Sequence, residues 1–141
     1  MLGRKSYTKE EIEHGRSAVA AQLAGFGKLR SAVDGGPGQA ALDDVEPVFF
    51  NSLTLALDRP FVHRFRMVTG KDSNPLNEVE LLVESLINNG GVLRAGTVVT
   101  YVPEQTVLGL AVGEPIRLTQ EQFDRLSTAF FTELEQRFLD S

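Results

Sequence analysis

The segment that begins at Thr119 carries the pattern that most constrains the fold of this chain. Thr119 and Gln122 have the spacing of a capping box, in which each side chain binds the other residue's backbone N–H at a helix start. Behind them, apolar residues recur every three or four positions, as one face of an α-helix requires. This face comprises Phe123, Leu126, Phe130, Leu134 and Phe138, and Phe131 and Leu139 widen it. So wide an apolar face needs other helices, or another chain, to cover it.

Two further helices have clear start signals. Thr8 and Glu11 form a second capping-box pattern, and Asn74 offers an N-cap followed by proline, a favourable first helical residue. The first helix should end near the glycine-rich stretch 34–38, and the third near 88–91, because these residues disfavour a continuing helix. The first apolar series is Ile12, Val19, Leu23, Phe26 and Val33, and the third is Leu76, Val79, Val83 and Leu86.

Residues 43–68 allow two readings, a second helix or a β-hairpin. In the helical reading, Asp43 or Asp44 is the N-cap, Pro47 lies in the first turn, and the helix is interrupted at Pro60. Its apolar series would be Val45, Phe49, Leu53 and Leu57. In the hairpin reading, alternating leucines form one strand and residues 61–68 the other. We favour the helix, because the adjacent pair at 49–50 breaks the alternation.

The stretch 97–118 changes in composition. Thr97 to Val102 is rich in β-branched residues, which is typical of a strand. Turn residues at 103–105 and 113–115 would separate it from strands at 106–112 and 116–118. The predicted fold class is therefore α+β and predominantly helical, with about four helices and a β-hairpin or three-strand meander before the C-terminal helix.

Length and composition indicate one globular domain spanning residues 1–141. Hydrophobic residues make up 42% of the chain, and there is no cysteine to form a disulfide or a thiolate metal site. The polar N-terminus lacks an export signal, and no run approaches the roughly 20 apolar residues of a membrane span. We therefore expect a cytoplasmic protein without a membrane contact. The net charge of −5 argues against nucleic-acid binding, which needs a clustered basic surface.

The best candidate for a small-molecule site is basic. Residues 59–71 carry four bases and a histidine but no acid. Their helical spacing and the following loop predict an anion-binding site at the start of a helix, whose free amides also favour anions. The candidate residues are Arg59, His63, Arg66, Lys71, Ser73 and Asn74. The alternative interpretation, which we favour, is a basic flank that pairs with nearby acids.

Neither a metal site nor a catalytic set is indicated. Glu11 and His14 form one Glu-x-x-His pair, but a helical di-iron site needs two such pairs, and the only other histidine is His63. Glu11 is better explained as the capping partner of Thr8. The serines lack a neighbouring base, and no phosphate-binding glycine pattern occurs. We therefore predict no metal, no cofactor and no catalytic residue.

One run of residues is similar to a known group of sequences. The segment Gly70-Lys71-Asp72-Ser73-Asn74-Pro75-Leu76-Asn77-Glu78-Val79, with Tyr101-Val102-Pro103-Glu104 downstream, resembles small uncharacterised bacterial proteins over about residues 45–139. The resemblance implies a bacterial cytosolic setting. It carries no assigned activity and no functional residues.

These observations favour a non-enzymatic binding or interaction module that acts as a homo-oligomer, most simply a homodimer. The wide apolar face of the last helix, the small residues of the first helix and an unpaired edge of the predicted sheet each offer a contact surface, and a protein partner is also possible. The alternative is a small enzyme or ligand-binding protein that uses the basic segment on an anionic small molecule.

Overall fold

The computed structural model describes residues 7–58, 70–96 and 99–138, and four α-helices dominate these ranges. They are α1 (Lys9–Ala32), α2 (Gly36–Asp58), α3 (Pro75–Asn88) and α4 (Gln120–Phe138), with a short 3-10 turn at Pro103–Gln105. The described residues form no β-sheet, and β-type pairing is limited to isolated bridges, such as the antiparallel one between Val92 and Pro115. The α+β prediction is therefore wrong, and the described fold is all-helical.

Both capping boxes form as predicted. The Thr8 hydroxyl accepts the Glu11 N–H at 3.1 Å, and the Glu11 carboxylate accepts the Thr8 N–H at 3.0 Å. At the start of α4, the Gln122 N–H donates to the Thr119 hydroxyl at 3.1 Å, and the Thr119 N–H donates to the Gln122 side-chain oxygen at 3.0 Å. These bonds satisfy backbone donors that a helix start otherwise leaves without a partner.

The preferred helical reading is confirmed for residues 48–58, but α2 begins earlier than predicted. It starts at Gly36, so Asp43 and Asp44 lie within it and Pro47 lies in its interior instead of its first turn. Gly35 and Gly36 have φ angles of 67° and 64°, a left-handed backbone that turns the chain sharply between α1 and α2. The interruption and resumption of the helix predicted at 59–68 lie outside the described residues.

α4 packs against all three other helices, and α2 also packs against α3. The predicted apolar face of α4 is confirmed as core, because Phe123, Leu126, Phe130, Leu134 and Phe138 are all buried. α1 and α2 meet this core through a run of aromatic rings. Phe26 stacks on Phe49, and Phe50 contacts both Phe26 and Phe123 with centroid distances of 4.8 and 5.5 Å.

An irregular connection between α3 and α4 takes the place of the predicted strands. Residues 99–102, 106–112 and 116–118 are not strands, and Thr97 and Val98 lie outside the described residues. The backbone N–H groups of Val107 and Leu108 donate to a side chain of α3, and that of Gly109 donates to the Thr106 hydroxyl. Since these donors bind side chains, they are not available to a neighbouring strand.

The described helices include none with both the length and the apolar character needed to cross a membrane.

Candidate functional site

The structure places only half of the predicted anion-site residues. Arg59, His63 and Arg66 lie outside the described residues, and Lys71 is exposed. Ser73 and Asn74 are buried, and both serve the local fold. The hydrogen bonds of Ser73 and Asn74 therefore decide whether their side chains can bind a ligand.

Ser73 joins the loop before α3 to the connection that follows it. Its hydroxyl donates to the Thr100 carbonyl at 2.7 Å and accepts the Val102 N–H at 2.8 Å. Asn74 is the N-cap of α3, as predicted, because its side-chain oxygen accepts the Asn77 N–H at 3.0 Å. The Asn74 amide also donates to the Asp72 carboxylate at 2.7 Å. Both side chains thus bind protein groups at the position where the sequence predicts a bound anion.

Glu78, on the first turn of α3, is the most unusual polar group of this region. It is only 3% exposed, and its two carboxylate oxygens accept the N–H groups of Val107 at 2.7 Å and Leu108 at 3.0 Å. Burial raises the pKa of Glu78, and the two backbone bonds offset part of that rise. The arrangement ties the connection to α3, so Glu78 has a structural role that sequence reasoning missed.

A shallow groove between α1 and α4 contains a second group of polar residues. The Arg16 guanidinium lies 5.6 Å from the centre of the Phe131 ring and pairs with Glu13 and Glu135. The bond to Glu135 is the main reason that the pKa of Arg16 is raised. The groove encloses about 240 Å³, which is below the roughly 300–1,000 Å³ of typical ligand pockets. Its cation is already paired with protein carboxylates.

The described residues contain no group of three or more acidic or histidine side chains placed to hold a metal ion. Glu11, from the Glu-x-x-His pair, is confirmed as the capping partner of Thr8. His14 is exposed on α1.

The first two helices, α1 and α2, share a surface that the other described residues do not cover. Only two of the 24 residues of α1, Ile12 and Phe26, are buried, whereas seven of the 14 residues of α3 are buried. The difference arises because the connection between α3 and α4 lies over α3, as the bonds to Glu78 show. We call the solvent-facing side of α1 and α2, centred on Leu29, Val45 and Val48, the α1–α2 outer face.

Three large apolar side chains of the α1–α2 outer face are exposed to solvent. Leu29 is 51% exposed, Val45 49% and Val48 65%. They lie at one level of the helix pair, because the Arg30 guanidinium donates to Glu46 at 2.5 Å and Phe26 stacks on Phe49 one turn away. The outer face therefore brings the three side chains into one region.

The outer face carries few charges. Residues 17–27 of α1 contain no charged side chain, and Glu46 is the only one in residues 45–57 of α2. Glu46 is directed inward, where its carboxylate accepts bonds from Arg30 and from the Gln120 N–H. Lys28 and Asp44, which adjoin Leu29 and Val45 in the sequence, are exposed charged residues on or beside this face. Depletion of charged residues is a usual feature of the core of a protein interface.

Of the three surfaces that the sequence predicts for self-association, two are not available in the described residues and one is exposed. Phe131, which widens the face of α4, is buried within the chain, so that face is covered by the protein's own helices. The predicted sheet edge at 97–102 is not a strand where it is described, at residues 99–102. The small residues of α1, by contrast, do lie on the exposed side, with Ala18, Ala21 and Gly25 among them.

Val45, which is exposed, was included in the predicted apolar series of α2 because of its spacing. The series from Val45 to Leu57 repeats every four residues, and each step of four rotates about 40° past one full turn. Three steps therefore rotate by about 120°, so the series cannot stay on one face. The buried positions of α2 are Leu42, Phe50, Thr54 and Leu57. This drift is the signal that could have placed Val45 outside the core.

Comparisons with protein-family models, curated proteins and solved structures found no match for this chain.

Proposed function

We propose that the protein is a non-enzymatic interaction module that acts as a homo-oligomer and uses the α1–α2 outer face as its contact surface. The observation that carries this proposal is that only two of the 24 residues of α1 are buried. Three large apolar side chains on the outer face, those of Leu29, Val45 and Val48, are also exposed. Patches of this kind on a monomer are often interaction sites.

The polar groups of the described region support a binding role over a catalytic one. Ser73, Asn74 and Glu78 bind backbone or side-chain groups of the fold, and Arg16 pairs with two carboxylates. A catalytic set needs a nucleophile or base aimed at a space where a substrate can sit. These side chains are aimed at the protein itself.

The experiment that tests this proposal is a mass measurement in solution. Light scattering coupled to size exclusion, run from about 1 to 100 µM, a range set by typical micromolar affinities, should give twice the 15.5 kDa of one chain at the upper end. A mass of one chain at every concentration would contradict the proposal. If the chain binds another protein but does not self-associate, the proposal of an interaction module stands and the proposal of a homo-oligomer fails.

A further inference from the structure

We infer that the α1–α2 outer face binds a second copy of this chain by a two-fold contact in which the two α2 helices run antiparallel and cross at Val48. This inference rests on the proposed function and adds the surface, direction and register of the contact. It follows from the size of the face, from its charges and from the side chains that the register places opposite one another.

Taken over their full length, the outer sides of α1 and α2 approach the area of a standard dimer interface. α1 and α2 contain 24 and 23 residues, so each is about 35 Å long at a rise of about 1.5 Å per residue. With a helix width of about 10 Å, the pair covers about 700 Å². A specific interface of standard size buries about 800 Å² on each partner. One copy of this helix pair is thus well matched to another.

The net charge favours this face for contact between copies. Each chain carries a charge of −5, so two copies repel wherever acidic surfaces approach. On α2, Asp44 is the exposed acid next to Val45 and Val48, and residues 45–57 add only Glu46, which is directed inward. Association through this face therefore brings few acids near the contact, Asp44 among them, while it covers Leu29, Val45 and Val48.

The direction follows from Asp43 and Asp44, which are exposed near the start of α2. A parallel pair of α2 helices in register would place each of these acids against its own copy. An antiparallel pair centred on Val48 places Asp44 opposite Ser52, eight residues or about 12 Å from the other Asp44. That separation exceeds the Debye length of about 8 Å at physiological ionic strength, so the repulsion is largely screened.

The same register pairs side chains of suitable size. Ala41 lies opposite Leu55, so a small side chain faces a large one at each end of the contact. Val48, the most exposed of the three apolar side chains, lies on the two-fold axis and meets its own copy. A residue on the axis gives a direct test, because a cysteine there can form a symmetric disulfide.

The chain has no cysteine, so single-cysteine variants report one position each. Val48→Cys should form a covalent dimer under mild oxidation at least tenfold faster than Val112→Cys, a matched control on an exposed valine of the α3–α4 connection. Asp44→Cys and Ser52→Cys should cross-link slowly alone and rapidly when mixed under reducing conditions and then oxidised. Rapid cross-linking of Asp44→Cys alone would show a parallel pair and overturn the inference.

The outcomes separate this inference from the proposed function. If the wild-type mass is doubled but Val48→Cys cross-links no faster than Val112→Cys, the chain is an oligomer through another surface and only the inference fails. If the wild-type mass is that of one chain at the same concentration, both fail. Circular dichroism of each variant, read against wild type, confirms that the helices are intact before its cross-linking rate is used.

Discussion

Replacing Phe130 by alanine should strongly destabilise the protein, because Phe130 occupies the centre of the core. Its side chain is fully buried on α4, and its ring lies edge-to-face against Phe131 with a centroid distance of 5.4 Å. The substitution removes the aromatic ring and leaves a cavity, since neighbouring helices relax only in part.

The expected loss follows from two contributions. Truncation of a buried phenylalanine to alanine typically lowers the free energy of unfolding by about 3–5 kcal/mol, a range that already includes the cavity. The edge-to-face pair with Phe131 is worth about 0.5–1.5 kcal/mol beyond its buried area, which places Phe130→Ala at about 4 kcal/mol, inside that range. Domains are usually stable by about 5–15 kcal/mol, so the variant should lose a large share of its stability.

The assay is urea unfolding of both proteins at one protein concentration, because self-association would make stability depend on concentration. Ile87→Ala serves as the control, since Ile87 is a large apolar residue that is exposed on α3. Its free energy of unfolding should change by no more than about 0.5 kcal/mol. A loss below about 1 kcal/mol for Phe130→Ala, which is typical of a surface site, would refute the assignment of the α4 face to the core.

Three further predictions concern local features of the chain. Thr8→Ala should lower the free energy of unfolding by about 1 kcal/mol, because it removes the capping box of α1. Ser17→Ala, at an exposed position within α1, should have little effect. Equal losses for the two variants in urea unfolding would count against the cap. Burial raises the pKa of Glu78, so the stability that protonated Glu78 contributes is complete below the ordinary pKa of 4.5 and is lost as the pH rises through the folded-state pKa. The free energy of unfolding of wild type should therefore fall relative to that of Glu78→Gln across that window, while Glu104→Gln, at an exposed position, should follow wild type. A difference of opposite sign would refute the burial argument. Inorganic phosphate should leave the melting temperature unchanged, because Ser73 and Asn74 already bind protein groups; a rise that Arg66→Ala abolishes would instead favour the anion-binding alternative.

The helix starts could be predicted from the sequence because capping is a local interaction. Thr8, Asn74 and Thr119 each bind a backbone N–H three residues away, so the pattern and the bond lie within one turn. The start of α2 was missed because Gly36-Pro37-Gly38 was interpreted only as a helix breaker. Proline is also favourable in a first helical turn, and the structure uses it there.

The strands could not be predicted correctly because a strand depends on a partner that local composition does not specify. Tyr101 and Val102 have the composition of a strand, but the Tyr101 hydroxyl donates to the Leu110 carbonyl and the Val102 N–H donates to Ser73. Glu78 takes two more backbone donors from 29 and 30 residues away. Such long-range bonds override β-propensity, which reflects packing more than backbone preference.

The candidate interaction face could be predicted only in part. The small residues of α1 were recognised as a contact surface, and they are exposed. Val45 was placed in the apolar series of its helix, Val48 was not singled out, and Phe131 was offered as a contact for a second chain although it is buried. Both assignments depend on how α1, α2 and α4 rotate to pack against each other, which the apolar spacing of a single helix does not fix.

Sedimentation equilibrium of wild type, Val48→Glu and Val112→Glu at tens of micromolar tests the central claim most directly, because that concentration populates interfaces of ordinary affinity. The two-fold contact would place two Val48→Glu carboxylates against each other, and like charges at an interface cost several kcal/mol. Wild type and Val112→Glu should therefore have twice the 15.5 kDa mass of one chain, and Val48→Glu should have the mass of one chain. A wild-type mass of one chain, or a doubled mass for Val48→Glu, would contradict self-association through the α1–α2 outer face.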